Sequence, residues 1–166
     1  MPRIIAAASA LLLAVTIAGC SSAPAPGKDG YVSANTITIA TSPSTKAPWF
    51  IDNNPASGRG FEAAVAYAVA EDLGFTKDHV VWVRVSRTDA LAPGHKKFDF
   101  YLGQVPISSK LEKSVDLSSG YYLDPATGKE FALVFAKHSP LTLRLTMAVD
   151  EVRAQGTFRH LAQEWL

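Results

Sequence analysis

The sequence predicts an α/β fold on a mainly parallel sheet, and two observations carry that prediction. Between residues 36 and 102, β-branched and apolar runs alternate with helix-period segments in the order strand, helix, strand, helix, strand. Such an order builds parallel strands joined by right-handed crossovers. The 147 residues from Cys20 onward also suffice for one sizeable core and not for two comfortable domains.

The elements follow in chain order. Arg3 supplies a short basic start, residues 4–17 an apolar core, and Ala18-Gly19 two small residues before Cys20, the sole cysteine. That apolar core is shorter than the roughly 20 residues of a spanning helix. It reads as a signal peptide over residues 1–19, with Ile17-Ala18-Gly19-Cys20 as a lipobox and Cys20 as the lipidated residue. Residues 20–35, with Ala23-Pro24-Ala25-Pro26-Gly27, bury almost nothing and read as a flexible linker.

Residues 36–40 alternate as a strand. Residues 42–60 carry Pro43, Pro48, Pro55 and Gly58 and form a long loop. Phe61, Val65, Ala68, Val69 and Leu73 make one helical face, with Gly74 placed to end it. Residues 80–85 are apolar nearly throughout, which suits a strand buried on both faces. A weak helix around residues 89–91 stops at Pro93-Gly94, and residues 98–102 form a third strand.

Residues 108–114 suit a short polar helix, followed by Val115-Asp116-Leu117 and Tyr121-Tyr122, and residues 131–135 form another strand. Ser139-Pro140 suits an N-cap and first turn for a helix burying Leu145, Ala148, Val149 and Val152. Gly156 stops it, and Thr157 caps a last helix that buries Phe158, Leu161, Ala162 and Trp165.

Composition narrows function. Lys+Arg 16 against Asp+Glu 15 gives no charge excess to suggest a nucleic-acid partner. His79, His95, His138 and His160 are scattered, so no metal site and no cofactor is expected. Ser118-Ser119, His138 and Asp150 lie in no nucleophile-elbow context, and no catalytic residue is expected. Glu62, at a helix start, is explained by the helix dipole, and Lys96-Lys97 reads as a solvated turn.

A family resemblance rests on several segments in order. They are Ala47-Pro48-Trp49-Phe50; Gly60-Phe61-Glu62 opening a helix; Phe98-Asp99-Phe100; and Ile107-Ser108 leading to Val115-Asp116-Leu117-Ser118 and Tyr121-Tyr122. Residues 131–137, Ala154-Gln155-Gly156-Thr157 and the terminal Gln163-Glu164-Trp165-Leu166 complete the set. Together they resemble the first lobe of extracytoplasmic solute-binding proteins, family 3, which serve polar amino acid ABC importers. The resemblance implies a three-layer sandwich, a single lobe of a type 2 periplasmic-binding-protein-like fold, over residues 36–166.

Family members have a second lobe after the Tyr-Tyr region. Here only residues 123–130 separate residues 36–122 from the return over 131–166, and Asp124-Pro125 with Gly128 suits a tight hairpin. A single lobe offers a shelf without closure. The resemblance implies that a serine and, a few positions later, an arginine hold the ligand carboxylate. The matching positions are Pro106 and Leu111, neither of which offers a side-chain donor. Trp49 and Phe50 as an aromatic platform, and Gln104 and Ser108 as hydrogen-bonding groups, are the candidate ligand-binding residues.

The functional expectation is a lipid-anchored, extracytoplasmic, non-enzymatic component of an ABC-type amino acid import system, held at the cell membrane through Cys20. Its binding of a small, amino-acid-like solute is weakened or altered. A monomer is expected, with an ABC permease as partner. The alternatives are an envelope interaction protein that uses the retained lobe against a permease or other partner, and a non-binding remnant.

Overall fold

The computed structural model describes residues 29–166; the expected signal peptide, Cys20 and most of the expected linker lie outside the described residues. Five strands form one sheet: β1 (Ile37–Thr41), β2 (Val80–Arg84), β3 (Phe100–Tyr101), β4 (Val115–Leu123) and β5 (Glu130–Ala136). Their spatial order is β2-β1-β3-β5-β4. β1 pairs in parallel with β2 and β3, whereas β5 runs antiparallel to β3 and β4. The sheet is therefore mixed, parallel where crossovers feed it and antiparallel where a hairpin does.

Helices lie on both faces, as in a three-layer sandwich. Alternation along the strands divides the core. Ile37, Ile39, Phe100, Leu102, Leu133 and Phe135 face the larger cluster with α1 (Phe61–Asp72), α3 (Thr142–Ala154) and α4 (Thr157–Trp165). Ala40, Tyr101, Val115 and Val134 face a smaller cluster with Ala90 of α2 (Arg87–Leu91). β1 is buried along its whole length, as a central strand flanked on both sides must be.

Several local expectations are corrected. β2 is an edge strand with Val81 43% exposed, not a strand buried on both faces. Its apolar run serves one flank, where the Trp82 indole stands edge-on to Phe50 and donates to Tyr67 Oη at 3.1 Å. The expected helix over 108–114 shrinks to a single 3-10 turn, Leu111–Lys113. α3 starts at Thr142, because Ser139 makes a turn ahead of it: its Oγ accepts from Leu141 N and its carbonyl from Thr142 N. Gly156, in the left-handed region at φ 79°, is the cap of α4, and Thr157 is its first helical residue.

Lys96 is not solvated. Its buried ammonium donates to Asp89 O at 2.7 Å and Ala92 O at 2.5 Å, satisfying carbonyls at the end of α2. At the other end of α2, Ser86 Oγ accepts from Asp89 N and donates to the Asp89 carboxylate. Asp99 is also buried, and its oxygens accept from Val32 N (2.7 Å) and Thr38 N (2.6 Å), fastening the incoming chain to β1.

The β4–β5 hairpin closes with Leu123 opposite Glu130. Asp124 O accepts from Gly128 N, and the Asp124 carboxylate accepts from Ala126 N and Thr127 Oγ1. Gly128, at φ 67°, takes the left-handed step of this reversal. The described residues thus make one lobe, with a six-residue turn where a second lobe would be inserted.

Candidate functional site

In an open α/β sheet, ligands sit beyond the carboxyl ends of the parallel strands, where backbone groups are free of the ladder. Here β1 and β3 end at Thr41 and Tyr101, and the loops after them enclose a depression of about 430 Å³. Thr41, Ser42, Ser44, Thr45, Lys46, Ala47, Trp49 and Phe50 line it, together with Arg87, Gly103 and Gln104.

The long loop holds its shape through its own contacts. Gly60, at φ 101°, lets the chain turn into α1 where a Cβ would stand 2.7 Å from Trp49 O and 2.9 Å from Phe50 Cα. Trp49 O and Pro48 O in turn accept from Glu62 N and Phe61 N, so the loop is bonded to the first turn of α1. Arg84 braces the other limb, donating to Ser42 O at 2.8 Å and Asn53 O at 2.5 Å.

The predicted site residues separate into two groups. Trp49 and Gln104 reach the depression. Trp49 is half-buried and packs edge-on against Phe61, Tyr122 and Phe131 at 5.7–5.9 Å. Gln104, at φ 49°, is held in its unusual backbone conformation by Glu62. Phe50 lines the depression but is 1% exposed, so its ring is core beneath the shelf and not an open platform. Ser108 is not among the lining residues; its carbonyl accepts from Leu111 N and its Oγ from Lys110 N.

The two positions at which the resemblance implies anchors are built into the fold. Pro106 bridges to Phe131 beside the hairpin, and Leu111 packs on the smaller core cluster.

Glu62 is the site residue that sequence reasoning missed. It is fully buried on α1, where its two oxygens accept from Gln104 N (2.7 Å), Gln104 Nε2 (2.5 Å) and the Tyr121 hydroxyl. Burial pushes its carboxyl above the ordinary value of 4.5, against the pull of the Tyr121 and Gln104 hydrogen bonds. Burial and the neighbouring Glu62 likewise hold the Tyr121 hydroxyl well above its usual range, so it stays a donor. One carboxylate therefore ties α1, the loop after β3 and β4 together beneath the depression. The signal was present: Glu62 shares a helical stripe with the buried Val65, Ala66 and Val69.

No group of three or more His, Cys, Asp or Glu among the described residues is placed to hold a metal ion. No described helix is long and apolar enough to cross a membrane.

The profile of the bacterial extracellular solute-binding proteins, family 3, matches residues 37–166. The chain belongs to that family. Solved structures agree on the fold. Domain 1 of TmArgBP, in its arginine-bound form, is 19% identical with TM-score 0.55, covering 70% of this chain and 93% of that one. A Salmonella typhimurium periplasmic binding protein of high arginine specificity is 16% identical with TM-score 0.62, covering 80% and 99%. The GluR0 ligand-binding core from Nostoc punctiforme, in complex with L-glutamate, is 11% identical with TM-score 0.61, covering 78% and 99%. Among curated proteins, none matches this chain in sequence. The chain is thus a family 3 solute-binding domain, homologous to amino-acid-binding proteins.

Proposed function

We propose that this chain is a lipid-anchored extracytoplasmic lobe of an ABC-type amino acid import system, and that it holds a small polar solute weakly in the depression after β1 and β3. It is non-enzymatic and works as a monomer beside a permease. The observation that carries the reading is the depression itself, set at the carboxyl ends of two parallel strands and lined by Trp49 and Gln104. Its volume falls within the range of about 300–1,000 Å³ for small-molecule sites. One lobe covers one side of a ligand, so affinity is low: good pockets enclose about 70–90% of ligand surface. The arginine-bound form of domain 1 of TmArgBP supports ligand retention by one domain of this fold. Cys20, behind a lipobox, supplies the anchor.

Equilibrium dialysis of the full chain in detergent against radiolabelled amino acids tests the binding. Retention in the millimolar range supports it, and no retention of any amino acid removes it. Labelling of cells with radioactive palmitate, compared with the Cys20→Ser variant, tests the anchor; equal labelling of both refutes it.

A second reading, contact with an envelope partner, is favoured by the hairpin end. Ile107 and Leu123 stand 39% and 58% exposed there, beside Tyr122. Co-purification of a permease with the wild-type chain, lost in Leu123→Asp, supports that reading.

A further inference from the structure

The depression has a charge pattern of its own. Arg87 and Lys46 line it, and no aspartate or glutamate does. Neither cation is in an ion pair among the described residues. The carboxylate beneath it, Glu62, is fully buried with both oxygens taken by Gln104 and Tyr121.

Arg87 is also fixed in place. Its Nη1 donates to Gly103 O at 2.5 Å and its Nη2 to Gln104 O at 3.3 Å, both carbonyls of lining residues. A guanidinium carries five N–H donors, so these two bonds hold the head while leaving others for a ligand. At the end of β1, Thr41 lines the same depression while fully buried, and its Oγ1 is the one buried side-chain polar atom among the described residues without a partner. Buried hydroxyls are almost always paired, and an orphan calls for a missing partner.

We infer that the depression selects a net-anionic solute and binds its carboxylate through Arg87 and Thr41, with Lys46 adding positive charge at the edge. This anchor set replaces the one lost at Pro106 and Leu111. It rests on the reading of the depression as a solute site and names the class of solute: a small dicarboxylate such as an acidic amino acid. A cationic side chain would face two cations with no carboxylate on the lining to answer it, whereas the second carboxylate of an acidic amino acid outweighs the ammonium that every amino acid carries.

Calorimetric titration of the full chain in detergent with L-glutamate, L-glutamine and L-arginine tests the inference. L-glutamate should bind at least about tenfold more tightly than L-arginine, in keeping with the strength of a charge-assisted contact. Arg87→Gln and Thr41→Val should each weaken it several-fold, and Lys46→Gln, an exposed loop change that leaves the fold intact, should weaken it less and flatten its salt dependence. L-glutamine or L-arginine binding as tightly as L-glutamate, or a Lys46→Gln variant as salt-sensitive as wild type, overturns the inference while leaving the solute site standing. No heat with any of the three at millimolar ligand overturns both.

Discussion

Replacing Glu62 separates its two duties, hydrogen bonding and charge. Glu62→Leu keeps the apolar bulk but removes the acceptor of three hydrogen bonds, two from Gln104 and one from Tyr121. Tyr121 is buried, and an unsatisfied buried donor costs about 1–3 kcal/mol. Gln104 N is part-buried and adds a similar or smaller amount. Removing a desolvated charge offsets some of this, leaving an expected loss of about 2–4 kcal/mol near neutral pH. Glu62→Gln retains one carbonyl oxygen, and Gln104 can turn its amide to meet the new NH2, so its loss should be about 1 kcal/mol.

The pH dependence has a definite sign. The folded-state pKa of Glu62 is raised by burial, so the native state binds the proton more tightly than the unfolded chain does. Its contribution to stability is full below the unfolded value near 4.5 and is lost as pH rises through the folded value. Urea unfolding at a series of pH values from 4 upward reads this out as the difference between wild type and Glu62→Gln. The difference curve should slope in that window, with wild type losing relative stability as pH rises. A flat difference curve, or Glu62→Leu within about 0.5 kcal/mol of wild type, would refute the role given to this carboxylate.

Further outcomes follow from the same geometry. Gly60→Ala forces a side chain into a left-handed backbone against Trp49 O and the Phe50 backbone, and should cost at least about 2–3 kcal/mol, read as a lower thermal midpoint with Trp49 fluorescence perturbed. Asp99→Asn leaves one of the Val32 and Thr38 amides facing an NH2, and should cost about 1–3 kcal/mol by urea unfolding. Although burial alone would raise it, the Asp116 carboxyl is held below its ordinary 3.8 by hydrogen bonds from Lys137, Thr142 and His138 N. Its contribution is therefore present above that value and lost as pH falls, so Asp116→Ala should reduce the acid dependence of stability in that range. Placing the donors that the resemblance implies, with Pro106→Ser and Leu111→Arg, should raise affinity for a neutral α-amino acid at least about tenfold by calorimetry.

The longer helices were legible in the sequence because apolar residues recur three or four positions apart along them, a local pattern: Val65 and Val69, Leu145 and Val149, Phe158 and Leu161. Strand position was harder to read. An apolar run such as residues 80–85 looks alike in a central strand and at an edge, and only the sheet order places β2 at the edge. Caps were displaced for a related reason, since Ser139 and Thr157 suit an N-cap locally but the turns ahead of them settle where each helix begins. Lys96 looked like surface because its role depends on where α2 ends.

The site shows the same division. Trp49 was singled out because its segment carries the resemblance, and Gln104 because it follows the third strand; both line the depression. Glu62 was explained by its own helix terminus, while its partners Gln104 and Tyr121 lie 42 and 59 residues along the chain. Arg87 and Thr41 come from separate elements, and neither carries a local pattern that announces a ligand. Their meeting in one depression is a product of the parallel β2-β1-β3 arrangement.

Amide-resolved NMR titration of the isotopically labelled full chain with L-glutamate tests the central claim most directly. Saturable shifts are expected, concentrated at Thr41–Trp49, Arg87 and Gly103–Gln104, together with the Trp49 indole N–H. No shifts at millimolar ligand, or shifts centred on the Leu123–Glu130 hairpin end, would contradict it.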